Sequence, residues 1–208
     1  MPLVRIGAHV IFFAHIPKTG GSSIEAYLDR KGAVALRYPR RLGWSKTTAQ
    51  HMDAAVHRAL IPDGFIDCSF TVLRDPVARL ISEYRYRADR RAGVPAFDVW
   101  VERMFSKHSQ NPATQDNHIR PQVDFLRPGM RLFHLEDGLS LVFDWIDEQS
   151  GTSAADRDVW EKKSKSAAID VSAEMRARIE AFYAADIKVI AEARAQGAQA
   201  VCAKENAG

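Results

Sequence analysis

Unbroken apolar runs alternate along this chain with segments whose apolar residues recur every three or four positions. Val10 to Ala14 is such a run, bounded by a Pro-Lys-Thr-Gly-Gly turn, and it predicts a buried parallel strand. From Ser22 to about Arg30, Ile24, Tyr27 and Leu28 share one helical face, and Ser22-x-x-Glu25 fits a capping box. Ala33 to Gln50 shows no period; it holds Arg37, Arg40, Arg41, Gly43 and Trp44 and predicts a short strand followed by a long loop. A helix from about Asp53 to Leu60 follows, ended by Pro62-Asp63-Gly64. Phe65 to Leu73 is a second strand. It stops at Arg74-Asp75-Pro76, where Asp75 suits an N-cap and Pro76 a first helical residue. Val77, Leu80, Ile81 and Tyr84 then form a buried stripe, with Arg79, Ser82 and Tyr86 on another face.

Further on, the pattern gives a helix over Phe97 to Phe105, a loop over Asn111 to Asn117, and a helix or turn over His118 to Leu126. Arg131 to Leu135 reads as a short strand and Leu139 to Ile146 as a helix. One long helix, about Ala173 to Ala195, places Met175, Ile179, Phe182, Tyr183, Ile187 and Ile190 along one side, and Gly197 closes it. Strands alternating with helices define an α/β protein with a mainly parallel sheet flanked by helices. Residues 1–208 form one domain, frayed over the last ten. Ligands of such sheets sit beyond the carboxyl ends of the strands, where both polar loops, 15–23 and 74–76, fall.

A chain of 208 residues, 46% hydrophobic, supports one sizeable core. Its net charge of +3 does not call for a nucleic-acid partner. Cys68 and Cys202 form no ligand or redox spacing, which points to a reducing compartment with Cys68 buried. The N-terminal apolar run is too short to span a bilayer and passes straight into the polar loop, so no transmembrane segment and a cytoplasmic location are expected. Nothing in the sequence specifies an oligomeric state.

The first loop, His15-Ile16-Pro17-Lys18-Thr19-Gly20-Gly21-Ser22-Ser23, carries the most chemistry. A Gly-Gly turn opening a helix lets backbone N–H groups converge on an anion, and the helix N-terminus adds partial positive charge. Lys18 and the hydroxyls of Thr19, Ser22 and Ser23 add donors. A Walker A loop, G-x-x-x-x-G-K-S/T, carries its lysine after the glycines, whereas Lys18 precedes them. The plainer alternative is a tight turn with Ser22 as a cap. In the second loop, Arg74 at a strand's end beside a helix start suits a bidentate phosphate contact, unless it pairs with a carboxylate and Ser82 is merely exposed.

These two strings resemble the motifs of a known family. His15 to Ser23 is similar to the 5′-phosphosulfate loop of carbohydrate O-sulfotransferases that use 3′-phosphoadenosine 5′-phosphosulfate (PAPS). Leu73-Arg74-Asp75-Pro76-Val77-x-Arg79-x-x-Ser82-Glu83-Tyr84 is similar to their 3′-phosphate motif, above all in heparan sulfate 6-O-sulfotransferases and bacterial relatives. The resemblance implies a P-loop-NTPase-like sulfotransferase fold. It also implies PAPS as donor, PAP as product, Pro17 to Ser23 with Arg74 and Ser82 as the cofactor site, and an acceptor hydroxyl on a glycan or glycolipid.

In-line sulfuryl transfer accumulates charge on the leaving oxygens, which Lys18 would stabilise, and it requires no metal. A base must take the acceptor's proton, and histidine titrates closest to neutrality. The resemblance points to His51 as that base, with His57, inside a predicted helix, as the rival unless it is only a surface residue. His15 shapes the loop. None of the seven histidines forms a ligand motif such as HExxH, and His9, His108 and His134 belong to no constellation. The segment Asp116 to Gln122 resembles a downstream His-x-x-Pro-Gln stretch of some family members, which would put His118, Arg120 and Gln122 on the acceptor; Asn117 capping a helix that contains Pro121 is the alternative. Lys162-Lys163-Ser164-Lys165-Ser166 falls where the family has a cofactor-covering loop, though its usual asparagine is missing, and a solvated basic run explains it equally. Arg85, Arg87, Arg90 and Arg91, with Arg37, Arg40 and Arg41, either attract an anionic glycan or form a solvated face. Two competing functions are a nucleotide kinase or NTPase with a variant P-loop, and a non-catalytic module binding PAP or a sulfated ligand.

Overall fold

A computed structural model describes residues 2–37, 41, 43–153 and 169–195. Arg40, the 162–166 basic run, Gly197 and Cys202 lie outside the described residues. The sheet has five strands, β1 (Leu3–Ile6), β2 (His9–Ala14), β3 (Ala33–Ala35), β4 (Cys68–Leu73) and β5 (Arg131–His134), in the order β3-β1-β2-β4-β5. β2, β4 and β5 run parallel, while β1 is antiparallel to both β2 and β3. The sheet is therefore mixed, and its parallel part is the half that carries the two polar loops.

β1 lay outside the sequence reading because its four residues alternate buried Val4 and Ile6 with exposed Arg5, a pattern too brief to stand out. Gly7, at φ 57°, turns it into β2. β4 starts at Cys68 rather than Phe65, since Asp63–Phe65 winds into a short 3-10 turn.

Among the described residues seven helices surround the sheet: α1 (Gly21–Lys31), α2 (Ala54–Leu60), α3 (Pro76–Ala88), α4 (Phe97–Gln110), α5 (Ser140–Ser150), α6 (Ala173–Phe182) and α7 (Ala184–Ala195). Alternate β2 side chains point to opposite faces. Ile11 and Phe13 pack with α1 and α5 through Ile24, Leu28, Val142 and Ile146. Phe12 and Ala14 pack on the other face with Met52, Leu73 and Phe125. A third apolar cluster joins α3, α4 and α6 through Leu80, Val101, Phe105 and Ile179.

Three local expectations are corrected. No capping box opens α1: its N-cap is Gly20, Ser22 is exposed within the first turn, and Glu25 turns inward to other partners. Arg79, expected on α3's polar face, is only 2% exposed, because it donates to the carbonyls of His118 (3.3 Å) and Arg120 (2.8 Å). The C-terminal helix breaks at Tyr183, whose hydroxyl donates to the Ile119 carbonyl at 2.7 Å, giving α6 and α7.

Candidate active site

The carboxyl ends of β2 and β4 lie side by side, so the loops after Ala14 and Leu73 meet at one sheet edge. The Arg74 guanidinium donates to the Lys18 carbonyl at 3.0 Å, tying the loops together. Lys18 (φ 70°) and Gly20 (φ 85°) are both left-handed, which doubles the chain back before α1. Ser23 and Ile24 bond back to the Gly20 carbonyl, so the N–H groups of Gly21 and Ser22 have no acceptor within the helix. The Thr19 hydroxyl, expected to face the anion, is buried and donates to the Ile16 carbonyl at 2.9 Å. It holds the loop's shape instead.

Behind the loop, His15 is buried, stacked on Phe13, and its Nδ1 lies 2.5 Å from Glu25 Oε1. Gly21 sits against this ring so closely that a Cβ there would lie 2.0 Å from His15 Nε2. His15 thus shapes the loop, as expected. Burial, and then the charges of Arg74, Arg90 and Arg87, push the Lys18 ammonium's pKa below its ordinary value, against the pull of Glu83. Its Nζ lies 4.2 Å from the Tyr86 ring centre. A cation made uncomfortable by burial and like charges is a cation that gains from a bound anion. Ser82 stands half-buried on α3.

His51 ends a 3-10 turn, Ala49–His51, and is 8% exposed. Its Nδ1 lies 2.7 Å from Asp116 Oδ2, and Asp116 also accepts from Thr48 N (2.6 Å) and Oγ1 (2.8 Å). Burial lowers His51 to a pKa of about 3. Burial alone would raise the Asp116 carboxyl, but hydrogen bonds from His51 and Thr48 outweigh it and hold the group below the ordinary carboxylate range. At neutral pH the pair is a neutral imidazole donating Nδ1–H to a carboxylate, which leaves the Nε2 lone pair free. Gln115, Asp116 and Asn117 are all left-handed (φ 52°, 60° and 62°), a strained run that Asn117 secures by donating to the His51 carbonyl at 2.8 Å. Asn117 therefore does not cap a helix; the segment after it holds only the 3-10 turn Gln122–Phe125.

Three histidines line up here. The His15 and His51 ring centres are 4.9 Å apart and those of His51 and His118 5.0 Å, both edge-on, and His118 Nδ1 lies 2.7 Å from the buried Glu83. His57 stands apart: it is buried, not on the surface, packed on Phe12 with Nε2 3.5 Å from the Phe125 carbonyl.

Of the expected acceptor residues, only His118 reaches this cluster. Arg120 is engaged with Asp53, Asp124 and Asn117. Gln122 is buried, accepting from Arg74 N (3.0 Å) and donating to Arg74 O (2.8 Å), while its own N–H donates to Asp186. Among the arginines, Arg37 pairs with Glu25 and Asp29, Arg87 with Glu83, and Arg90 lies over Tyr86. The sequence reading paired none of Asp116, Glu83 and Glu25 with a histidine, since each meets its histidine only through the fold. No sequence motif marks a ligand cluster, yet His51, Asp116 and His118 each offer a ligand atom within 4.8 Å of the others.

Together these features define an α/β protein with a Lys-Thr-Gly-Gly loop opening a helix at its sheet edge and a histidine–carboxylate pair beside it. The sulfotransferase-family model matches residues 2–189, nearly the whole chain, and the protein belongs to that family. No curated protein matches the chain, and no solved structure does. Membership makes it a transferase of sulfuryl groups to a hydroxyl-bearing acceptor. No helix among the described residues is long and apolar enough to cross a membrane.

Proposed function

We propose that this sulfotransferase moves the sulfuryl group of PAPS to a hydroxyl of a glycan or glycolipid, with His51 as the base. One observation carries the reading: the His51–Asp116 pair is a single ring away from the anion loop, through His15 wedged beneath Gly21. The donor set suits PAPS. The start of α1 with Lys18 forms one anion site, and Arg74 with Ser82 on α3 forms a second beyond the neighbouring strand. When bound, PAPS supplies the sulfuryl group and PAP leaves with the displaced charge. Lys18 neutralises that charge where it develops, so it acts most strongly in the transition state. His51 Nε2 takes the acceptor's hydroxyl proton, and Asp116 keeps the ring in the tautomer that can accept it.

The acceptor side is a cleft of about 360 Å³ lined by Arg41, Lys46, Thr48, Asn111, Thr114 and Asp116. Arg41 pairs with Thr48 as a β-bridge, closing a loop that exposes 67% of Trp44. A polar lining and a flat exposed ring suit a sugar, with its hydroxyl edges and C–H faces. Gln122 is assigned to holding Arg74, not to the acceptor. Family membership favours sulfuryl transfer over the phosphoryl transfer that a variant P-loop also allowed.

The test is calorimetry with PAP, followed by a labelled-PAPS screen over glycans, glycolipids and simple alcohols. His51→Ala is expected to cut turnover roughly a hundredfold or more with PAP affinity kept, whereas Lys18→Ala loses both. Folded protein that ignores PAP would overturn the donor assignment. Full activity in His51→Ala would overturn the base, and PAP binding without transfer to any acceptor would leave a binding module.

A further inference from the structure

We infer that His51, Asp116 and His118 form a binding site for a borderline divalent metal ion, Zn²⁺ or a chemical equivalent, whose occupancy shuts the enzyme down. Two imidazoles and one carboxylate are the donor set that zinc uses with one position left open, and they discriminate against Mg²⁺ and Ca²⁺, which take oxygen cages. Their ligand atoms already lie within 4.8 Å of one another. A tetrahedral ion holds such atoms about 3.3 Å apart, so His51 Nδ1 and Asp116 Oδ2, now 2.7 Å apart, open slightly and the wider pairs close by at most about 1.5 Å. Imidazole rotation supplies that.

The surroundings are those of a metal site as well. Glu83 accepts from His118 Nδ1 at 2.7 Å, which fixes the tautomer and leaves Nε2 as the ligating atom. Thr48 N and Oγ1 anchor Asp116. The neighbours on other elements are His15 with Glu25 on α1, and Arg87 with Tyr86 on α3, Arg87 being paired with Glu83. An entry path exists, because the Asp116 side chain is 30% exposed and lines the acceptor cleft.

The ion takes the place of the proton shared by His51 Nδ1 and Asp116 Oδ2, now 2.7 Å apart. That proton moves to Nε2 as the ring changes tautomer. With Nδ1 ligated, a neutral His51 carries its hydrogen on Nε2 and has no lone pair to offer an acceptor hydroxyl. The binding half stands on geometry alone; the inhibitory half rests on the base role of His51.

The experiment titrates Zn²⁺, with Mg²⁺ as control, into the untagged full chain by calorimetry at neutral pH. One ion per chain at roughly micromolar affinity is expected. His118→Gln and Asp116→Asn should each weaken it tenfold or more, and Glu83→Gln by about tenfold through loss of the outer contact. Co²⁺ should give visible bands without a thiolate transition. Should a variant misfold, the wild type decides: Co²⁺ must displace the ring resonances of His51 and His118 and leave those of His9 and His108 in place. No Zn²⁺ binding beyond the Mg²⁺ control, binding indifferent to both variants, or unmoved His51 and His118 resonances would overturn the site. Zn²⁺ bound there without EDTA-reversible loss of transfer would overturn the inhibition. A chain that transfers no sulfuryl group at all still answers the binding question, so the two failures are told apart.

Discussion

Gly21→Ala tests the construction of the anion loop most directly. In an ordinary helix the change gains about 1 kcal/mol, since alanine restricts the unfolded chain and favours the helix. Here the new Cβ would lie 2.0, 2.2 and 2.6 Å from His15 Nε2, Cδ2 and Cε1. The ring has nowhere to retreat, being stacked on Phe13 and bonded to Glu25. It must swing away, which breaks a buried charge-assisted hydrogen bond worth about 1.5–3 kcal/mol and leaves Glu25 short of a partner. Set against the helix gain, and adding the strain of repacking around the displaced ring, the expected net loss is about 2 kcal/mol, or roughly 4–8 °C in Tm for a domain of this size. Thermal unfolding followed by circular dichroism reads it. The decisive control is His15→Ala, which removes the ring. In that background Gly21→Ala should be neutral or stabilising, a coupling of at least ~1 kcal/mol. Equal costs in the two backgrounds, or a Gly21→Ala protein as stable as the wild type, would refute the wedge.

Acid should weaken the fold early. His51 at about 3 and His57 at about 4, against the ordinary 6.5, refuse protons that the unfolded chain accepts. Stability, complete above 6.5, therefore falls as pH drops toward those folded values, by about 2 kcal/mol for each histidine at pH 5; urea midpoints that do not move between pH 7.5 and 5 would contradict this. Asp116→Asn should cost roughly a hundredfold or more in turnover, with PAP affinity unchanged. Thr48 N–H keeps an oxygen at the Oδ1 position, so the amide NH₂ faces His51 Nδ1 and forces the wrong tautomer; a variant with wild-type turnover would sink the pairing. Gln122→Leu strips both hydrogen bonds from the Arg74 main chain, and PAP affinity measured by calorimetry should drop about tenfold or more, one to three kcal/mol per buried group being typical. An unaltered PAP affinity would show that Arg74 needs no such clamp.

What the sequence shows best is what short stretches of chain decide alone. The units β2–loop–α1 and β4–loop–α3 were legible because an apolar run meets Gly-Gly in one and Asp-Pro in the other, and Asp75 caps α3 with Ala78 N at 2.7 Å as read. The misreadings share a cause. Ser22-x-x-Glu25 has the capping pattern, but Glu25 has better partners in His15, Gln50 and Arg37, all outside the helix. Arg79 counts as a surface residue in any periodicity, yet two carbonyls and the Tyr183 ring make its burial tolerable. Tyr183 looks like one more apolar position in a long helix until its hydroxyl finds Ile119.

The partner of the proposed base was missed for the same reason. His51 can be picked from its place between two loops, but its partner Asp116 lies 65 residues away, and no spacing rule joins them. Only the fold shows how it is held: Gln115, Asp116 and Asn117 are left-handed in succession, a conformation that Asp and Asn side chains tolerate. The same short segment then serves both halves of the site. Asp116 and Asn117 fix His51, Gln122 fixes Arg74, and Arg79 from α3 grips the carbonyls of His118 and Arg120 between them. The proposed base and the proposed phosphate contact are thus set relative to each other by one piece of backbone, with little slack between them. That is the condition in-line transfer imposes, because an attacking oxygen misplaced by an ångström forfeits most of what alignment contributes.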